Sequence, residues 1–77
     1  MAGQVKMRNF FDDQFNIMVE EVDAEGKVCR KLAGATNIRA ARAAFDALVA
    51  AYPPERYIVL RERSRILLTA HDGKVTR

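Results

Sequence analysis

The sequence predicts an α+β fold of the ββαββ type, in which two β-hairpins form one antiparallel four-stranded sheet and a single α-helix packs on one face. QFNIMVEEVDAEGKVCRKLAG and YIVLRERSRILL each contain two apolar, strand-like runs that double back across a short polar loop. Between them, TNIRAARAAFDALVAAYPP repeats apolar residues at three- and four-residue spacing, from a capping side chain to two prolines. A chain of 77 residues is one domain, near the size where a single core only just offsets the conformational entropy of folding.

Residues 1–13 show no sustained period and read as a flexible N-terminal arm, with Phe10 and Phe11 available to pack against the fold. Residues 14–70 are the single ββαββ domain, and residues 71–77 read as a flexible C-terminal tail. In the first hairpin Gly26 sits where a three-residue loop, Ala24-Glu25-Gly26, needs a positive φ. That loop sets Asp23 opposite Lys27, Val22 opposite Val28, Glu20 opposite Arg30 and Met18 opposite Leu32, so opposite charges meet twice. The apolar residues do not agree on one buried face. Phe15, Ile17 and Val19 favour one side, and Met18, Val22, Val28 and Leu32 the other; a bulge near Glu20 and Glu21 reconciles them.

The helix opens at Thr36 or Asn37, whose side chains cap exposed backbone N–H groups, and stops at Pro53-Pro54. Ile38, Ala41, Phe45, Leu48, Val49 and Tyr52 form its apolar stripe, with Arg39, Arg42 and Asp46 off it. Arg42 and Asp46 are four apart and make a modest pair. In the second hairpin, a two-residue turn at Arg63-Ser64 divides Leu60 and Leu67 from Ile66 and Leu68. A three-residue loop, Glu62-Arg63-Ser64, instead pairs Leu60 with Ile66 and Ile58 with Leu68 on one face and is the expected register. It costs about 1–2 kcal/mol for a non-glycine residue near the left-handed region, and it places Arg61 directly opposite Arg65. Strand orders 2-1-3-4 and 1-2-4-3 both fit the connections.

Charge divides unevenly along the chain. Residues 1–25 hold two basic residues against six acidic ones, and residues 26–77 hold eleven against four, within a net charge of +3. Such a division arises when acidic and basic elements neutralise each other on folding, or when a basic surface meets nucleic acid. Catalysis finds little material. His71 is the sole histidine and Cys29 the sole cysteine, which removes an internal disulfide and a zinc site built within one chain. Adjacent strand carboxylates such as Glu20 and Glu21 point to opposite faces, and the four scattered glycines form no phosphate-binding loop. No enzyme, cofactor, metal or membrane role is expected. With no apolar run long enough to span a bilayer and no signal-peptide pattern, the expected location is cytoplasmic.

The DAEG turn, the ARAAFDALVAAYP helix and the YIVLRERSRIL hairpin together resemble small bacterial proteins of unknown function, over about residues 14–70. The resemblance implies the ββαββ fold and carries no activity or site residue.

The leading functional expectation is a small non-catalytic interaction module, self-associating or bound to another protein through the outer sheet face at Tyr57, Val59, Leu67 and Thr69. An apolar strip on the face away from the helix is unusual for a small monomer. The alternative is nucleic-acid binding through Arg61, Arg63 and Arg65 at the hairpin tip, supplemented by Arg39 and Arg42. A third reading joins His71 of one copy to Cys29 or a carboxylate of another in a shared active site.

Overall fold

A computed structural model describes residues 16–77. The elements run β1 (Ile17–Val22), β2 (Val28–Ala35), α1 (Ile38–Ala51), β3 (Tyr57–Glu62), β4 (Arg65–His71) and β5 (Lys74–Thr76). All strand pairs are antiparallel, in one five-stranded sheet ordered β2-β1-β3-β4-β5. The α+β class therefore stands, 2-1-3-4 is the one of the two fitting orders that the chain adopts, and the expected four strands become five. The added strand lies in the stretch read as a tail. Asp72 and Gly73, with φ of 53° and 76°, make the two-residue turn whose paired positive φ values suit a tight hairpin. The expected contributions of Phe10, Phe11 and Phe15 lie outside the described residues.

β1 sits between β2 and β3, and all six of its residues are buried. Its apolar residues favour both faces because both faces of β1 are buried. Ile17 and Val19 join Ala41, Phe45, Ile58, Leu60 and Ala70 in the core beneath the helix. Met18, Glu20 and Val22 alternate onto the other face and are buried there too.

The hairpin β1–β2 begins as expected, with Val22 opposite Val28 and the Asp23 N–H donating to the Lys27 carbonyl at 2.9 Å. Gly26 has φ 89°. Asp23 does not meet the Lys27 ammonium; its Oδ1 accepts the N–H groups of Glu25 and Lys27 at 3.0 and 2.8 Å, a local turn that fixes the loop. Beyond it the register departs from the expected one. Glu21 faces Arg30, Glu20 faces Lys31 and Met18 faces Gly34, with shifts on both sides of the Glu20–Glu21 pair. Cys29 and Leu32 are the extra residues. The bulge near Glu20 and Glu21 is thus doubled, and the second extra residue lets Leu32 pack against the core.

In α1 the Asn37 side chain accepts from the Ala40 N–H at 2.9 Å, so Asn37 is the cap. Ala41 and Phe45 are buried, and Leu48, Val49 and Tyr52 pack around them. Ile38 departs from the expected stripe: it is 49% exposed. Past Pro53, the Pro54 carbonyl accepts from the Asp72 N–H at 2.7 Å, tying the entry to β3 to the exit from β4.

The β3–β4 register also differs from the expected one. The turn is the two-residue Arg63-Ser64, Glu62 faces Arg65, and Arg61 faces Ile66 instead of Arg65. The apolar set is not divided, because a register shift between Leu60 and Arg61 leaves Leu67 as an extra residue. Leu60 then meets Leu68 and Ile58 meets Ala70 on the core face. The left-handed residue is Arg63, at φ 56°.

Candidate functional site

The strands place two carboxylates at the centre of the sheet on opposite faces. Glu20 and Glu21 are 2% and 5% exposed, a position that is unfavourable for a carboxylate unless it is paired. Both are paired. Arg61, the neighbour of Met18 on β3, donates to Glu20. Arg56 donates to Glu21 on the other face, and Arg30 lies 3.5 Å from the same carboxylate. The Arg56 guanidinium is held above its ordinary pKa, first by this hydrogen bond and then by the Glu21 charge. The acidic and basic halves of the sequence meet here, inside the sheet.

This geometry separates the three hairpin arginines. Arg61 is occupied by Glu20. Arg63 donates to the Asn16 side chain at 3.1 Å, and its backbone N–H donates to the Asn16 carbonyl. Arg65 is exposed at the start of β4. Arg39 and Arg42 lie exposed on α1, and Arg42 pairs with Asp46 at 3.1 Å. Sequence proximity suggested a joint anion grip; alternation and cross-strand pairing give each arginine a different neighbour.

The expected interaction strip is also redistributed. Tyr57, Val59 and Thr69 share the outer face, whereas Leu67, at the bulge, packs against the core cluster on the helix side. Val59 is only 2% exposed. Tyr57 stacks on His71 with ring centroids 3.8 Å apart and planes within 3°. His71 Nε2 lies 3.3 Å from the Asp72 carboxylate, and its Nδ1 is buried without a hydrogen-bond partner. Cys29 is exposed on edge strand β2. Three strand spacings, ~14 Å, separate β2 from β4, so Cys29 and His71 of one chain do not meet.

Two features were not anticipated from sequence. The first is the edge formed by β5, where Val75 is 46% exposed. In the two-residue hairpin the closing pair His71 and Lys74 face each other, so the next residue, Val75, turns its N–H and C=O away from β4. The signal was present in the Asp72-Gly73 dipeptide, a strong marker of a tight hairpin when strand-forming residues flank it. The second is an open cleft of about 330 Å³ between α1 and β4, lined by Ile38, Arg42, Leu60, Leu67, Leu68 and Arg77. It arises because α1 packs mainly over β2, β1 and β3, leaving β4 and β5 less covered.

Among the described residues no helix is long and apolar enough to cross a membrane, and no group of three or more His, Cys, Asp or Glu side chains is placed to hold a metal ion. In comparisons with protein-family models, curated proteins and solved structures, nothing matches this chain.

Proposed function

We propose that this protein is a non-catalytic interaction module that self-associates by pairing the β5 edges of two copies. The observation that carries the reading is the edge at Val75, unpaired among the described residues, an exposed β-branched residue whose backbone groups point outward from the last strand of the sheet. Such an edge is a template for another strand. Self-association thereby moves from the outer face, where Val59 is already enclosed, to the sheet edge.

Charge favours an antiparallel arrangement. Among the described residues, the β3–β4 turn and the start of α1 lie at one end of the strands, with Arg39, Arg63 and Arg65 against Glu62. The opposite end holds Asp23, Glu25, Glu55 and Asp72 against Lys27 and Lys74, once Arg56 is assigned to Glu21. Two antiparallel β5 strands bring the basic end of each copy beside the acidic end of the other. With Val75 opposite its own mate, Lys74 faces Thr76 of the second copy, and Arg77 faces Gly73 next to Asp72. No like charges are directly opposed.

A three-residue edge is small beside the ~1,200 Å² of stable complexes, so the expected Kd is weak, on the order of 100 μM. Light scattering over a concentration series spanning that value tests the reading with the native chain and with Val75→Pro. Proline removes the outward N–H and leaves the ladder to β4 intact. The expected result is a concentration-dependent dimer for the native chain and a monomer with unchanged circular dichroism for the variant. A native chain that stays monomeric throughout, or a folded variant that dimerises equally well, overturns the proposal.

A further inference from the structure

The sheet is wider than the helix that covers it. Five strands at ~4.8 Å spacing place β2 and β5 about 19 Å apart, while a helix with its side chains is ~10 Å across. α1 spends its width over β2, β1 and β3. The remaining strip, over β4 and β5 and uncovered among the described residues, is about one helix wide. Its floor is apolar, with Leu67 and Leu68 half-buried and Val75 46% exposed, and Ile38 of α1, 49% exposed, stands beside it. Guanidinium-bearing residues flank it among the residues of the cleft: Arg42 on α1, whose Nε already donates to Asp46, and Arg77 beyond β5.

We infer that this strip docks a second helix, supplied by a partner protein, whose apolar stripe lies on Leu67 and Leu68 and whose flanks carry Glu or Asp facing Arg42 and Arg77. A helix is selected over a strand because the free element here is a sheet face beside an existing helix, and a helix layer is what closes such a face. The acidic flank is selected by charge complementarity. Apolar contact supplies attraction, and the two arginines set orientation and reject basic helices. Pairing of β5 edges uses the strand's outward backbone groups and leaves this face open, so the inference stands whether or not the chain dimerises.

The probe is a synthetic 14-residue amphipathic peptide with Leu along one stripe and Glu along both flanks, set against the same peptide with Lys in place of Glu. Titrated into the ¹⁵N-labelled full chain, the Glu peptide is expected to give saturable amide shifts centred on Ile38, Leu67 and Leu68. In the double variant Arg42→Glu, Arg77→Glu, its affinity falls about tenfold, and the preference reverses towards the Lys peptide. Both changes are at exposed positions, and circular dichroism checks that the variant folds. Equal binding of the two peptides, shifts confined to the outer face or the β5 edge, or no saturable shift each overturns the inference. Movement of the cleft amides with protein concentration alone assigns the cleft to a second copy and overturns it as well.

Discussion

Removing Arg61 tests whether the hairpin arginines are chiefly internal partners. The Glu20 side chain is 2% exposed and that of Arg61 28%. Arg61→Met keeps most of the aliphatic stem and removes the guanidinium that donates to the buried Glu20 carboxylate. Breaking such a pair costs about 3–5 kcal/mol where the remaining buried charge is left uncompensated. The partial exposure of Arg61 admits water to the vacated site, which sets the expectation near the lower figure, ~3 kcal/mol. A chain of this length has a total stability of roughly 4–12 kcal/mol, so the loss is large. At about 4–8 °C per kcal/mol it lowers the thermal midpoint by on the order of 15 °C. The double variant Glu20→Met, Arg61→Met removes both charges and is expected to match or exceed the native stability, since well-packed apolar replacements of buried pairs are often neutral or stabilising. Urea denaturation with the slope held common to all variants measures each value and closes the double-mutant cycle. If Arg61→Met lies within about 1 kcal/mol of the native chain, the pair behaves like a surface salt bridge, and the account of Arg61 given above is refuted.

Asn37→Ala removes the side-chain acceptor of the Ala40 N–H and is expected to cost about 1 kcal/mol in the same assay; no loss means the cap is made elsewhere. At Gly26, φ is 89° and nothing lies within 4 Å of an added Cβ. Gly26→Ala therefore costs ~1–2 kcal/mol through backbone conformation alone, and a much larger loss in urea denaturation points to a steric contact instead. Deleting Leu67 removes the extra residue of the β4 bulge, so the Leu60–Leu68 and Ile58–Ala70 pairings persist in a regular ladder. The loss is about 1–2 kcal/mol of apolar burial, and interstrand NOEs showing a shifted register contradict it.

The helix was legible because its signals were local: the Asn37 side chain, the spacing of Ala41, Phe45 and Leu48, and Pro53 all act within a turn or two of themselves. Strand registers were less legible, because a bulge is chosen by packing across the sheet. Leu67 shows why. Read as a regular strand, the two-residue turn put Leu60 and Ile66 on different faces, so a longer loop looked necessary. The chain keeps the short turn and lets Leu67 bulge, which restores one core face from Leu68 to Ala70. Leu32 does the same on β2. The residues Tyr57, Val59, Leu67 and Thr69 do not share one face for this reason, since that grouping assumed unbroken alternation through Leu67. β5 was overlooked because three residues beyond a turn carry too little apolar pattern to register as a strand, although Asp72-Gly73 marked the turn itself.

The uneven distribution of charge along the sequence has a three-dimensional consequence that neither composition nor pairing alone predicts. Glu20 and Glu21 pair with Arg61, Arg56 and Arg30, which offsets part of the cationic charge that a nucleic-acid reading would enlist. The charges that remain are sorted by strand direction, because the two turns that close at one end, at Asp23–Lys27 and at Asp72-Gly73, are built from acidic turn-forming residues. Aspartate suits those positions for local reasons: its carboxylate accepts turn N–H groups, as Asp23 does, and it tolerates positive φ, as Asp72 does. The other end closes with Arg63-Ser64 and the start of α1. Turn chemistry thus polarises the molecule along its strands, and a polarised sheet with an unpaired edge favours an antiparallel neighbour over a parallel one. The preference is electrostatic between exposed groups and therefore weakens with added salt, whereas the proposed backbone pairing at Val75 does not depend on those charges.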